Sequence, residues 1–275
     1  SKAERSRDVS FADTMGDYMK WGGAKGGRGG HPWSAGYAKL RRRQLTWWQE
    51  RLALQTLGDL EDILGTVEKA TLELQRAGDS GKTINDKTSS LSAFCTWCVK
   101  RELLDKHPLA ALDSFNSAPK IQRRVATREE LVRVLQAAPL DRQLLYETAF
   151  VSGLRRNELA QLTPAHVNLE NEALRLDPNW TKNRKPGLQP VPRSLLERLL
   201  AFAAAGFPDK IYRATYARSQ SMNLPPKGRL LYVPAHTAAV IYRDMKRAGV
   251  DKMTPLGKLD FHALRTAYIN FVQRD

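Results

Sequence analysis

Ser152-Gly153-Leu154-Arg155-Arg156-Asn157-Glu158-Leu159 interrupts a stretch, Leu144 to Leu162, in which apolar residues otherwise recur at helical spacing. Glycine lacks a Cβ and readily ends one helix so that another can begin. Arg155 is thereby expected at or near a helix N-terminus, where unpaired backbone amides and a guanidinium can face one anion. A basic pair such as Arg155-Arg156 opposes the helix dipole at that end, so it asks for an anionic partner. His262-Ala263-Leu264-Arg265, about a hundred residues further on, has the i, i+3 spacing that puts His262 and Arg265 on one helix face, able to meet the same phosphate.

The charge of the whole chain agrees with an anionic partner. Among 275 residues, 44 are Lys or Arg and 29 are Asp or Glu, a net charge of +15. Residues 1–115 carry 18 basic and 15 acidic side chains, residues 116–275 carry 26 and 14, so the positive field belongs mainly to the second part. A field of that sign concentrates polyanions, and DNA is the polyanion of highest charge density. Hydrophobic residues make up 42%, enough for ordinary cores. No apolar run approaches the roughly 18 residues of a membrane span, and Ser1-Lys2-Ala3-Glu4-Arg5 lacks the apolar centre of a signal peptide. A cytoplasmic, nucleoid-associated chain of bacterial, archaeal or phage origin, with no membrane partner, is the expectation.

Before residue 114 the patterns are helical. Ser10 to Trp21, 35–57, 59–77 and 83–101 read as helices, with Gly22 to Gly30 as a flexible basic loop between the first two. That loop has no Gly-Lys-Ser/Thr and no following strand-helix context, which excludes a P-loop. Arg41-Arg42-Arg43, beside Trp47-Trp48, is a solvated helix face or a grip on DNA phosphates. Cys95 and Cys98 are the only cysteines. They share helical spacing with Leu91 and Phe94 and have no second ligand pair nearby, so they read as buried thiols rather than a metal site.

A polar, basic segment with Pro119, Arg123 and Arg124 reads as a linker. Thr127-Arg128-Glu129-Glu130 is a capping box opening the next helix. After Pro164 short strand-like segments follow, at 167–169, 173–176 and 188–191, with a turn at Asn183 to Gly187 and Lys182 at its entry. The fold class is therefore mainly α with a small antiparallel β-sheet. The expected organisation is a flexible N-terminus (1–9), a helical domain (10–114), a linker (115–126) and a mixed domain (127–275).

Ser152-Gly153-Leu154-Arg155-x-x-Glu158-Leu159 resembles the first-arginine motif of tyrosine recombinases, the phage-type integrases. His262-x-x-Arg265 resembles their His-x-x-Arg motif, and Thr181-Lys182 followed by Gln189-Pro190-Val191-Pro192 resembles their lysine hairpin. The likeness runs from about residue 10 to the end and includes Phe94 to Leu109 and Pro119 to Leu131; it implies that the helical domain (10–114) is a SAM-like core-binding domain and that the mixed domain (127–275) is a catalytic domain incomplete at its C-terminal end.

The resemblance implies strand cleavage by a tyrosine, a 3′-phosphotyrosine intermediate and a released 5′-hydroxyl. Arg155 and Arg265 would hold the phosphate, His262 would donate to it or assist proton transfer, and Lys182 would protonate the leaving oxygen, with Lys185 as the fallback. No cofactor or metal ion is implied. The implied partners are duplex DNA at specific sites, held in a C-shaped clamp, a homotetramer passing through a Holliday junction, and accessory DNA-bending proteins. Arg41, Arg42, Arg43, Arg123, Arg124, Arg156, Arg184 and Lys185 are expected DNA contacts. Glu158 is read as a salt-bridge partner, and His31, His107, His166 and His236 as structural. Thr266 stands where the family often has His or Lys. The family's later His or Trp and its nucleophilic Tyr are expected beyond Asp275, because Tyr268 is too close to Arg265 and Tyr232 and Tyr242 precede the motif. Alternatives are a cleavage-inactive DNA-binding relative that occupies recombination sites, and an enzyme like a type IB topoisomerase or telomere resolvase.

Overall fold

Serine side chains start three of the four α-helices among the described residues of the first of two compact units, Ser1–Pro119. Ser10, Ser34 and Ser80 each accept a bond from the amide three residues on, at 3.2, 3.3 and 3.2 Å. Each bond satisfies an amide that a helix start leaves without a partner. In this computed structural model the helices are α1 (Phe11–Lys25), α2 (Ala35–Arg51), α3 (Leu64–Arg76) and α4 (Gly81–Val99). The structure describes residues 8–119, 121–180, 185–217 and 227–272, with 266 and 268–272 in backbone only.

Aromatic rings fill the core of this unit. Phe11 and Tyr18 of α1 meet Phe94 of α4 edge to face at 5.1 and 5.4 Å between centroids, a geometry that adds to plain area burial. Trp48, with no exposed surface, donates its indole N–H to the Lys87 carbonyl at 2.9 Å. Cys95 and Cys98 are fully buried and unpaired, and burial pushes the Cys98 thiol up to about 12.

Two features depart from the sequence pattern. α2 stops at Arg51 rather than continuing to 57. There Ala53 adopts φ 51°, and the Asp59 carboxylate takes the amides of Gln55 and Thr56, both at 2.8 Å, so Leu54 and Leu57 enter the core from a turn. The glycine run expected as a loop from Gly22 begins inside α1 instead. Trp33 lies directly on Gly22, where an added Cβ would stand 2.0 Å from its ring. This glycine serves close packing rather than flexibility.

The second unit, Lys120–Asp275, starts with α5 (Arg128–Ala137), opened by the Thr127–Glu130 capping box with reciprocal bonds of 3.2 and 2.9 Å. α6 (Leu140–Ser152) and the short α7 (Arg156–Gln161) follow. Strands β1 (Val167–Asn168), β2 (Ala173–Leu176) and β3 (Gly187–Pro190) form an antiparallel sheet in that order, with Leu174 opposite both Val167 and Gln189. Helices α8 (Arg193–Ala204), α9 (Phe207–Tyr216) and α10 (Thr237–Arg247), a hairpin of β4 (Met253–Thr254) and β5 (Gly257–Lys258), and α11 (Phe261–Val272) follow among the described residues. No strand pattern marks the β4–β5 hairpin, which is too short to show alternation.

Leu144, Leu145, Ala149, Leu159, Leu196, Ala263 and Leu264 belong to one buried cluster that packs α6, α8 and α11 together. Each fully buried Leu contributes about 1.5–3 kcal/mol. Inside this unit Asp244, with no exposed surface, accepts Arg142 Nε at 2.6 Å and Nη2 at 3.1 Å and the Tyr146 hydroxyl at 2.7 Å, tying α10 to α6. Among the described residues no helix is long and apolar enough to cross a membrane.

Candidate active site

The turn between α6 and α7 is built as the glycine predicts. Gly153 sits in the left-handed region at φ 59°, ψ 18°, and its amide bonds to the Ala149 carbonyl at 3.0 Å. Leu154 is buried, and its amide donates to Ser152 Oγ at 3.3 Å. Arg155 then occupies the N-cap of α7 with extended backbone. Glu158, 4% exposed, takes the Arg155 amide at 2.7 Å and its Nη1 at 2.9 Å. The carboxylate thus orients the guanidinium while leaving part of its fork exposed.

α11 brings the second motif to the same place. Asp260, 7% exposed, caps this helix by accepting the Ala263 amide at 3.2 Å. One turn further on, Arg265 Nη1 donates to the Gly153 carbonyl, binding the second motif to the turn that presents the first. Arg155, Arg156, Asp260, His262 and Arg265 line one cleft of about 210 Å³, with Thr237 and Ala238 from the start of α10 on its far wall.

Three cations crowd the imidazole there. Burial, then the Arg123 cation, then Arg265 and Arg155 pull the His262 pKa below its ordinary value, with Asp260 opposing them. His262 is exposed at the cleft mouth, so water screens part of this, but the cations all act in one direction. Arg265 is also lowered, by burial first and by Arg155 second. A site that raises the cost of its own positive charges gains when an anion enters.

Of the expected catalytic residues, the structure brings Arg155, His262 and Arg265 together. Lys182 lies outside the described residues, as does Arg184; Lys185 is exposed at the edge of the β2–β3 connection. The expected DNA contacts separate into two kinds. Arg42 and Arg43 are exposed along an open groove of about 680 Å³ on α2, with Lys39 and Trp47. Arg41 is instead committed to the Tyr37 hydroxyl and, at 3.0 Å, to the Ser89 carbonyl. Arg124 corrects the sequence expectation most clearly. It is 7% exposed, and its guanidinium is spent inside the unit on both Glu130 oxygens, at 2.7 and 2.9 Å, and on the Asp251 carbonyl at 2.8 Å. Arg156 Nε donates to the Pro234 carbonyl at 3.2 Å and remains half-buried at the cleft.

Sequence reasoning missed Asp260. Its signal was present, an Asp directly before the apolar start of a helix, which is a common N-cap position.

This architecture, a helical unit followed by a mixed unit, is shared with integrases of known structure. No model of a known protein family matches the sequence. The tyrosine recombinase XerC of Chlamydia muridarum (strain MoPn / Nigg) is 24% identical over 137 residues, 48% of this chain and 42% of that protein. XerC of Chlamydia trachomatis serovar D is 24% identical over 122 residues, 41% of this chain and 38% of that protein. The matched part therefore spans less than half the length of these relatives. A λ integrase dimer bound to a COC′ core site superposes with a TM-score of 0.69 at 14% identity, covering 97% of this chain and 71% of that one. The Tn1549 transposon integrase with transposon right end DNA gives 0.66 at 15% identity, covering 97% and 87%. A λ integrase tetramer bound to a Holliday junction gives 0.65 at 15% identity, covering 98% and 74%. The chain is thus similar in sequence to tyrosine recombinases over less than half of its length and shares the fold of the λ and Tn1549 integrases.

Proposed function

We propose that this chain carries the phosphate-activating machinery of a site-specific DNA recombinase or integrase. The observation that carries the reading is the convergence of Arg155, His262 and Arg265 on one cleft. A phosphodiester attacked by an oxygen gains negative charge in its five-coordinate transition state, and fixed cationic donors lower that barrier. Arg155 and Arg265 supply forked donors, each anchored before substrate arrives by Glu158 and by the Gly153 carbonyl.

His262, its pKa lowered by burial and by its cationic neighbours, can exchange a proton at the phosphate or with the attacking hydroxyl. In this reading a tyrosine hydroxyl attacks phosphorus, the bond from phosphorus to the 5′-oxygen breaks, and Lys182 supplies the proton that this oxygen takes up. The tyrosine is left esterified to the 3′-phosphate, and attack by another strand's 5′-hydroxyl reverses the step. Duplex DNA is the substrate, with the cations of α2 on its backbone. The λ integrase tetramer on a Holliday junction supports a homotetramer as the working assembly, and the site of action is wherever the cell's DNA lies.

The test uses protein expressed from the complete reading frame of its gene and DNA fragments that it selects from the source genome. A protein–DNA adduct that survives detergent and carries a 3′-phosphotyrosine is expected. Arg155→Ala or Arg265→Ala is expected to lower its rate of formation by about 10²–10³, as for loss of one transition-state donor. Tight, site-selective binding with no adduct in the wild-type protein would refute the enzymatic reading.

A further inference from the structure

One cation lies against this site without belonging to either family motif. Arg123 donates Nε to Asp260 Oδ2 at 2.9 Å, and 57% of its side chain is exposed. The same carboxylate caps α11 through its other oxygen, at 3.2 Å from the Ala263 amide, and lines the cleft. Arg123 is also the strongest charged neighbour of His262.

The backbone fixes this placement. Residues 122–124 run beside β5, with Lys258 N–H donating to the Gln122 carbonyl at 2.9 Å and Arg124 N–H to the Lys258 carbonyl at 3.1 Å. Gly257 permits that approach, because a Cβ there would stand 2.5 Å from the Gln122 oxygen. In extended backbone, neighbouring side chains take opposite faces. Arg124 turns inward to Glu130, and Arg123 is thereby directed to the opposite side, onto Asp260. A guanidinium has five N–H donors. Using Nε on a carboxylate fixes the plane of the fork while the exposed part can still meet an anion.

We propose that Arg123 is a further phosphate-binding residue of this cleft, held beside it by Asp260, and that it takes a phosphodiester of the same DNA strand that Arg155 and Arg265 engage. This rests on the phosphate-binding reading above. Asp260 is a positioning residue: it touches no phosphate, and acts by aiming Arg123 and by capping the helix that carries His262 and Arg265.

The test is equilibrium binding of the full chain to a short DNA duplex over a range of salt concentrations. Each phosphate contact adds about 0.9 to the slope of log K against log salt. Arg123→Gln is expected to lower that slope by about 0.9 with an unchanged unfolding midpoint. Arg123→Lys keeps the charge but loses the Nε bond, and is expected to keep the slope while losing affinity.

Asp260→Asn provides the sharper contrast. Asparagine still caps a helix, and removing a negative charge beside a polyanion should by itself tighten binding. The proposal requires weaker binding when Arg123 is present and tighter binding in the Arg123→Gln background. An unchanged slope in Arg123→Gln, or tighter binding by Asp260→Asn alone, overturns it. Arg155→Ala separates the two levels. If it lowers the slope and Arg123→Gln does not, only the assignment of Arg123 fails; if it leaves the slope unchanged, the cleft is not the phosphate site and both readings fall.

Discussion

Asp244→Ala should destabilise the second unit far more than an average substitution. The carboxylate has no exposed surface and joins Arg142 by two bonds, at 2.6 and 3.1 Å, and the Tyr146 hydroxyl at 2.7 Å. Burial, and then the bond to Asp244, pushes the Tyr146 hydroxyl far above its ordinary range. Truncation leaves Arg142, 19% exposed, without its counter-ion. Breaking a buried pair by removing one partner costs about 3–5 kcal/mol. Stranding a buried hydroxyl costs about 1–3 kcal/mol, and because the two share one cavity the total expected is about 4 kcal/mol rather than their sum. For a unit of roughly 150 residues this is about 10 °C in unfolding midpoint, read by calorimetry or by circular dichroism. Replacing the whole network by apolar groups, Asp244→Leu with Arg142→Met and Tyr146→Phe, removes more bonds but strands none of these three, and should lie closer to wild type than Asp244→Ala alone. A shift below about 3 °C for the single variant, or a triple variant less stable than the single one, would refute this reasoning. The network also has a functional reach, since α6 ends on the Gly153 turn and α10 begins at the cleft wall.

The lowered pKa of His262 sets a pH dependence of binding. A bound phosphate offsets the repulsion from Arg123, Arg265 and Arg155 and raises that pKa. The complex then holds more protons than the free chain, so duplex affinity should rise as pH falls from the bound-state pKa towards the lower free-state one. In the free chain the sign is opposite: the depressed folded pKa favours neutral imidazole, so this contribution to stability is present above about 6.5 and lost at lower pH. Titration of the ring by NMR with and without duplex measures both, and an affinity profile that His262→Gln leaves unchanged would dispose of the idea. Gly22→Ala puts a methyl into the Trp33 ring and should cost about 1–3 kcal/mol by overpacking, with a tryptophan fluorescence shift that Gly23→Ala, where the added carbon meets nothing within 4 Å, does not produce. Gly257→Ala forces a side chain onto φ 121° and against the Gln122 carbonyl. It should cost about 1–3 kcal/mol from backbone strain alone, seen in denaturant unfolding, and should weaken duplex binding through the loosened Arg123 segment.

What the sequence made legible is what nearby residues decide. The capping box at Thr127, the helix break at Gly153 and the start of α7 at Arg155 are all set within a few residues. The end of α2 was hidden because Ala53 carries no intrinsic signal for a left-handed turn; Asp59 imposes it from six residues away. Arg123 and Arg124 look alike in sequence, yet one is exposed on Asp260 and the other buried on Glu130. Their difference follows from a bridge to Lys258 that no local pattern announces. Asp244 was equally invisible, since its partners Arg142 and Tyr146 lie about a hundred residues away and its own helix reads as a charged, amphipathic one.

The arrangement of acids explains how so basic a cleft survives without its ligand. Glu158 and Asp260, both almost fully buried, each hold a guanidinium by one nitrogen and satisfy a helix-start amide with the same carboxylate. Each acid therefore lowers the self-repulsion of the arginines, yet because it also closes a helix end it cannot follow the cation outwards. An arginine paired with a mobile surface acid would have to be released before meeting a phosphate. Here the acid stays behind the guanidinium and the exposed donors stay in front, so anion binding requires little reorganisation, which is the condition under which electrostatic stabilisation of a transition state is most effective. The residual cost appears in the depressed values of His262 and Arg265, set first by burial and then by the neighbouring cations, and it is this combination, rather than the number of basic residues, that marks the cleft off from the exposed arginines of α2.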